Sequence, residues 1–202
     1  MNDLCVELGY NSINHVGEDL CGDHVETAGQ GEDSQVLVLA DGLGSGVKAN
    51  ILSILTSRII STMIAEGLPL EECVKAIAAT LPICSSRGVA YSTFTILRLI
   101  NNELAEIICY DNPPVILIRD GAPTELPGRD MIVGGKQVHR SELRLQEGDI
   151  LVAVSDGCPH AGIGVAYNFG WQLRDIADFV ATASVAGYNA KTLSTMLIAE
   201  CD

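Results

Sequence analysis

The sequence is short of positive charge. Its 202 residues hold 12 Lys and Arg against 26 Asp and Glu, which gives a formal net charge of −14. Basic residues do not gather in any one segment. Because a nucleic-acid partner requires clustered positive charge that offsets its phosphates, this composition disfavours nucleic-acid binding.

The sequence also lacks a Cys-x-x-Cys pair, although it contains seven cysteines. Their number is odd and their spacing fits neither a zinc cluster nor a disulfide framework. We therefore expect reduced and mostly buried thiols. The cysteines are Cys5, Cys21, Cys73, Cys84, Cys109, Cys158 and Cys201.

Targeting and membrane signals are missing as well. The first residues lack the basic and apolar regions of a signal peptide, and no apolar run approaches the roughly 20 residues of a membrane helix. We therefore expect a cytoplasmic protein without a membrane partner. The length of 202 residues favours one domain with a sizeable core.

The segment around which the chain is organised is residues 36–46, an aliphatic run that ends in Asp41 and a glycine-rich turn. A short β-branched and aliphatic run closed by Gly predicts a strand that is buried on both faces. A carboxylate at the end of such a strand costs several kcal/mol unless it is paired or bound to a metal. The segment therefore predicts a site for something small and polar.

Periodicity predicts the helices. Residues 47–66 carry an apolar stripe with a spacing of four, and this indicates a long amphipathic helix. The stripe consists of Val47, Ile51, Leu55, Ile59 and Met63. Further helices are predicted over residues 70–81, 169–182 and 190–201.

The strands are predicted to be grouped between the two helix pairs. Residues 5–10 can form a strand, residues 17–31 are expected to form a polar loop, and an antiparallel meander is predicted over 89–99, 104–110 and 115–118. Two more strands are predicted over 142–145 and 149–154. This order predicts an α+β fold, an α-β-β-α layered sandwich of two mainly antiparallel sheets flanked by helix pairs.

Two predicted strands end in the same pattern. In each, an aliphatic run is followed by Asp-Gly, at Asp41 in the first strand and at Asp156 in the second. If the two strands are neighbours, about 4.8 Å apart, the carboxylates face each other. A divalent cation would relieve their repulsion, and Asp23 could add a third oxygen. Such an all-oxygen set suits Mg²⁺ or Mn²⁺. The alternative is that each Asp-Gly pair only closes a turn.

These residues carry a resemblance to a known family. Residues 21–23 (Cys-Gly-Asp), 40–46 (Ala-Asp-Gly-Leu-Gly-Ser-Gly) and 154–157 (Val-Ser-Asp-Gly) resemble the metal-binding motifs of the PPM family of metal-dependent protein phosphatases. The more similar branch is the bacterial SpoIIE-like one, and residues 86–90 and 112–115 also resemble its segments. The similarity extends over nearly the whole chain, from about Leu4 to the last helix.

The resemblance implies a two-metal centre of Mn²⁺ or Mg²⁺. In it Asp41 bridges the two ions, the carbonyl of Gly42 binds one ion, Asp156 binds the other, and Asp23 acts through water. A hydroxide that bridges the ions would then hydrolyse a phosphoserine or phosphothreonine. Asp41 and Asp156 are the catalytic candidates. Arg87 could hold the substrate phosphate, although a structural ion pair is an equal alternative.

The implied partner is a phosphorylated bacterial regulatory protein, for example a stressosome or anti-sigma-antagonist protein. Relatives close the site with a further Asp pair on a last strand, so we expect domain 1–202 to lack that strand. Asp111 stands where many relatives have His, and water is therefore expected to protonate the leaving group. His24 and His160 could line the site, whereas His139 is expected to be solvated.

Two alternatives remain open. The chain could be a catalytically weak or inactive regulatory binding module on the same fold. The glycines at 42, 44 and 46 could also form a dinucleotide or phosphate loop, but the third Gly comes one position too early for that motif.

Overall fold

The computed structural model describes residues 4–14, 17–80, 92–163 and 170–202. Its strands are β1 (Asp23–Gly29), β2 (Gln35–Gly42), β3 (Ser92–Ile100), β4 (Leu104–Tyr110), β5 (Ile116–Arg119), β6 (Ala122–Thr124), β7 (Gly128–Val133), β8 (Lys136–Arg144) and β9 (Ile150–Val152). Its helices are α1 (Gly46–Ala65), α2 (Leu70–Thr80), α3 (Gly157–His160), α4 (Leu173–Ser184) and α5 (Ala190–Cys201).

The strands form two antiparallel sheets. The larger sheet has the order β1-β2-β3-β4-β8-β7, and the smaller one has the order β6-β5-β9. Helices α1 and α2 contact the larger sheet, whereas α4 contacts the smaller sheet and α5 packs on α4. The predicted α+β sandwich flanked by helix pairs is therefore confirmed.

Apolar side chains fill each interface between the layers. The core between the larger sheet and the first helix pair includes Val38, Ile60, Ile77, Phe94 and Ile96. The core between the smaller sheet and the second helix pair includes Ile118, Trp171, Ile176, Val180 and Leu197. Between the two sheets lie Leu97, Ile107, Val115, Leu99 and Leu117.

Residues with left-handed backbone conformations form the turns of two hairpins. Asn101 and Asn102 both have positive φ angles, of 52° and 49°, between β3 and β4. Asp120 and Gly121 do the same between β5 and β6. Two consecutive positive φ angles are the mark of a tight hairpin turn that matches the twist of the strands.

Several predicted strands are wrong or incomplete. Residues 5–10 form no strand, whereas part of the supposed loop over 17–31 is strand β1. The meander breaks after β4, because β5 belongs to the smaller sheet and β4 pairs with β8 instead. Strands β6 and β7 are largely exposed, so they carry little of the buried apolar pattern that marks a strand in sequence.

Helix α1 has the predicted length, but the face that packs on the sheet is not its apolar stripe. Val47, Ile51 and Leu55 are each more than half exposed. The buried face is made mainly of small and polar residues, with two isoleucines: Ala49, Ser53, Thr56, Ser57, Ile60, Ser61 and Ile64. Small side chains allow α1 to approach β1 and β2 closely. This close contact explains why the face with the small residues, and not the apolar stripe, packs on the sheet.

By length and composition alone, α1 is the one described helix that could cross a membrane. A core helix of a soluble protein passes the same test. In this fold α1 lies against β1 and β2 of the larger sheet.

Candidate metal centre

Strands β1 and β2 bring two carboxylates side by side. In their antiparallel register, Asp23 at the start of β1 lies opposite Asp41 near the end of β2. Residues directly opposite each other in an antiparallel pair point to the same face of the sheet. The predicted proximity of Asp23 to Asp41 is therefore a consequence of a strand pair that the sequence did not reveal.

Asp156 reaches the same place from the other sheet. It follows β9 and directly precedes the short helix α3. The idea that its strand neighbours β2 is wrong, because β9 pairs with β5 in the smaller sheet. The Asp41 side chain nevertheless interacts with those of both Asp23 and Asp156. Asp41 thus lies between Asp23 of its own sheet and Asp156, which follows a strand of the other sheet.

The electrostatics of this cluster are those of crowded like charges. Burial, together with the charges of Asp23 and Asp156, raises the pKa of Asp41 to about 8. Burial also raises the pKa of Asp23, although a hydrogen bond from Ser155 opposes that shift. A carboxylate in such surroundings is stabilised either by a proton or by a cation.

Two side chains that the sequence did not single out hold the Asp23 segment in place. The Ser155 hydroxyl donates to Asp23 Oδ2 at 2.6 Å, and this bond connects the two sheets. The Asn50 amide of α1 donates to the Cys21 carbonyl at 2.8 Å. The adjacency of Ser155 to Asp156 was a usable signal in the sequence, whereas Asn50 carries no recognisable motif.

Gly42 is required by the close approach of α1. A Cβ atom at this position would lie within 2.7 Å of Ala49 Cα and would collide with the Ala49 carbonyl. The Gly42 amide donates to the Gly22 carbonyl at 3.1 Å. The residue that follows Asp41 is therefore fixed between α1 and the segment that precedes Asp23.

The turn that links β2 to α1 needs its later glycines. Gly44 and Gly46 have φ angles of 96° and 71°, in the left-handed region that favours glycine. The Ser45 hydroxyl donates to Glu18 Oε1 at 2.7 Å. This bond ties the turn to the segment that precedes β1.

A polar network lies on the other side of Asp41. Thr93 of β3 is opposite Asp41 in the register of the larger sheet. Its hydroxyl donates to Asn112 Oδ1 at 2.7 Å, and the Asn112 amide donates to Thr95 Oγ1 at 3.2 Å. Asn112, which the sequence marked only by resemblance, therefore joins the segment after β4 to the strand beside Asp41.

The other predicted candidates are distributed differently. His24 lies 2.9 Å from Ser57 Oγ of α1, and strand alternation points it away from the face of Asp23. His160 lies on α3, where its amide donates to the Asp156 carbonyl. His139 pairs with Asp130 on the β7-β8 hairpin. Arg87 lies outside the described residues.

The chemistry of the carboxylates fits a hard divalent cation, since their oxygens are the ligands that Mg²⁺ and Mn²⁺ prefer. Within the described residues, no three His, Cys, Asp or Glu side chains converge as a ready-made ligand set. Asp41 instead interacts with the carboxylates on both sides of it. The interaction between Asp23 and Asp156 is electrostatic repulsion. The arrangement is a row centred on Asp41.

The carboxylates border a cavity of about 1590 Å³ between the two sheets. Asp23, Asp41 and Asp156 are among its lining residues. The cavity also reaches the segments that precede β1 and the end of α5. The site is therefore accessible to a ligand larger than a metal ion.

The comparisons with known proteins fit this architecture. The sequence profile of the family described as stage II sporulation protein E, or SpoIIE, matches residues 31–201. The chain belongs to the SpoIIE family. The resemblance to the SpoIIE-like branch is thereby confirmed. Sequence comparison with curated proteins gives no match.

Solved structures share the fold at low sequence identity. The phosphatase domain with a fragment of the regulatory domain of SpoIIE from Bacillus subtilis has a TM-score of 0.70 and 17% identity, over 89% of this chain and 52% of that chain. A Mycobacterium tuberculosis structure of RsbU and RsbW domains has a TM-score of 0.70 and 19% identity, over 94% and 51%. This chain therefore spans about half the length of both.

A third solved structure is RsbX in complex with magnesium. Its TM-score is 0.63 and its identity is 17%, over 93% of this chain and 84% of that chain. At these identities the comparisons establish the fold. This chain therefore has the fold of the PP2C-type phosphatases.

Proposed function

We propose that this SpoIIE-family chain is a Mn²⁺- or Mg²⁺-dependent phosphatase that hydrolyses phosphoserine or phosphothreonine on a protein. The observation that carries the proposal is the position of Asp41 between Asp23 and Asp156, where burial and the neighbouring charges raise its pKa. The membership of the SpoIIE family and the PP2C-type fold support the same function.

The side chains have distinct roles in this proposal. Asp41 would be a ligand common to two cations, the Gly42 carbonyl and Asp156 would each hold one of them, and Asp23 would contribute through water. The chemistry supplied by bound cations would be the activation of a water molecule and the stabilisation of negative charge at phosphorus.

Other residues position the carboxylates. Ser155 orients Asp23 through its hydroxyl, and Asn50 fixes the backbone that leads to Asp23. Thr93 and Asn112 support the end of β2 from the neighbouring strand. Arg87 remains our candidate for holding the substrate phosphate.

The proposed substrate is a phosphorylated bacterial regulatory protein encountered in the cytoplasm. The structures with a similar fold include RsbU and RsbW domains and a structure from work on the bacterial stressosome. The net charge of −14 favours a target surface with little negative charge beyond its phosphate.

A regulatory binding module without catalysis is the second candidate. It is favoured by one observation, that no three potential ligands in the described part of the chain converge as a closed set. Such a module would keep the fold and the cavity but bind cations weakly. Metal affinity therefore separates the two candidates.

Hydrolysis of an aryl phosphate and of phosphoserine and phosphothreonine peptides tests the proposal during a Mn²⁺ titration. We expect metal-dependent turnover that falls at least about 100-fold in Asp41→Asn. Asp130→Asn is the matched control, because Asp130 is an exposed carboxylate on the β7-β8 hairpin. Absence of turnover at millimolar Mn²⁺, with weak Mn²⁺ binding by calorimetry, would favour the binding module.

A further inference from the structure

Two cysteines meet beside the Asp156 turn. Cys158 lies in α3, two residues after Asp156, and Cys201 is the last residue of α5. Their sulfur atoms are 3.3 Å apart, although the residues are separated by 43 positions. A disulfide bond is about 2.05 Å long, so bond formation requires the sulfurs to approach by little more than 1 Å.

We propose that Cys158 and Cys201 are a redox-active dithiol that a low-molecular-weight disulfide converts into an intramolecular disulfide. This inference does not depend on the proposed phosphatase function. It also departs from the expectation of reduced and mostly buried thiols, which the odd number and the spacing of the cysteines suggested.

The surroundings allow an oxidant to reach the pair. Cys158 is 8% exposed and Cys201 is partly exposed, and both line the cavity between the sheets. The hydrogen bond from the Cys158 thiol lowers the pKa of Cys201. Cys201 is therefore the better nucleophile by both access and thiolate character.

The reaction balances as two successive thiol–disulfide exchanges. The Cys201 thiolate attacks one sulfur of oxidised glutathione, forms a mixed disulfide and releases one reduced glutathione. Cys158 then loses its proton and attacks the Cys201 sulfur, which releases the second glutathione and forms the protein disulfide. Two protein thiols are oxidised and one glutathione disulfide is reduced.

The bond would connect α5 to the turn that carries Asp156. The Cys158 amide donates to the Ser155 carbonyl, and the Ser155 hydroxyl donates to Asp23. Oxidation therefore constrains the segment 155–158, which links the dithiol to the carboxylate cluster. We expect slower amide exchange in that segment once the disulfide has formed.

The test treats the reduced 202-residue protein with oxidised glutathione. Free thiols are counted after denaturation, and disulfides are mapped by mass spectrometry without reductant. The wild type is expected to lose two thiols to a peptide that joins Cys158 to Cys201. Cys5→Ser, which removes an exposed cysteine, is expected to do the same. Cys201→Ser and Cys158→Ser are expected to form no protein disulfide at the remaining partner.

Hydrogen–deuterium exchange provides the second readout. The peptide that contains residues 155–158 is expected to exchange at least about threefold more slowly in the oxidised wild type, and at an unchanged rate in glutathione-treated Cys201→Ser. A different disulfide partner, or glutathione adducts that persist on Cys201, would overturn the dithiol. Equal exchange in oxidised and reduced wild type would overturn its link to the Asp156 turn.

Discussion

The Ser155 hydroxyl donates to Asp23 Oδ2 at 2.6 Å, across 132 positions of sequence. Asp23 begins β1 of the larger sheet, whereas Ser155 follows β9 of the smaller one. The bond opposes the rise in the pKa of Asp23 that burial causes. It therefore joins the two sheets at the place where the carboxylates meet, and it favours the charged form that a cation requires.

Replacement of Ser155 by Ala is expected to weaken Mn²⁺ binding about tenfold. A hydrogen bond to a charged group contributes about 1.5–3 kcal/mol, and its loss raises the pKa of Asp23 further. Isothermal titration calorimetry measures the effect. Ser155→Thr, which keeps the hydroxyl, should restore most of the affinity. Ser184→Ala removes a hydroxyl that bonds within the end of α4 and should leave affinity unchanged.

The metal-free protein is expected to lose stability as the pH rises. The folded-state pKa of Asp41 is raised from 3.8 to about 8, so the folded state binds this proton more tightly than the unfolded chain. The contribution is complete below about pH 4 and disappears as the pH approaches 8.

Urea unfolding in the presence of a chelator, between pH 5 and pH 8.5, measures this dependence. Asp41→Asn carries no titrating carboxyl at this position, so its stability should fall less steeply over the same range. Asp130→Asn should keep the wild-type slope. Identical slopes for the wild type and Asp41→Asn would contradict the pKa assigned to Asp41.

Periodic elements were predictable from the sequence because their burial pattern is strong. Strand β4 and helix α5 have the predicted bounds. In α5 the Asn189 side chain accepts from the Thr192 amide and caps the first turn, which is a local signal. The Asp-Gly motifs at Asp41 and Asp156 likewise identified two carboxylates that do meet.

What the sequence could not predict depends on tertiary contacts. Strand β1 contains polar residues at its start, and it is a strand because β2 supplies its hydrogen bonds. The meeting of Asp41 and Asp156 is a contact between two sheets, and no local pattern distinguishes it from pairing within one sheet. The positioning role of Asn50 depends on where α1 packs, which periodicity does not specify.

Gly42→Ala is expected to destabilise the protein by about 3 kcal/mol or more. The added Cβ collides with the Ala49 backbone, which cannot move without displacing α1 from the sheet. Gly31→Ala is the comparison, since Gly31 has a φ of 92° and open space around its Cβ position. That substitution should cost only the backbone strain of about 1–2 kcal/mol. Chemical denaturation measures both, and equal costs would contradict the close packing of α1 at Gly42.

The orientation of α1 can be tested with two adjacent isoleucines. Ile60 is fully buried, whereas Ile59 is 44% exposed and belongs to the stripe that the sequence suggested as the packed face. Ile60→Ala should cost about 2–5 kcal/mol, because it removes buried methyl groups and leaves a cavity. Ile59→Ala should cost about 0.5 kcal/mol or less. Both substitutions change the helix propensity by the same amount, and the two positions lie 100° apart around the helix axis. The difference between their free energies of unfolding in urea therefore reports which face of α1 is packed. A larger cost at Ile59 than at Ile60 would show that the apolar stripe packs on the sheet.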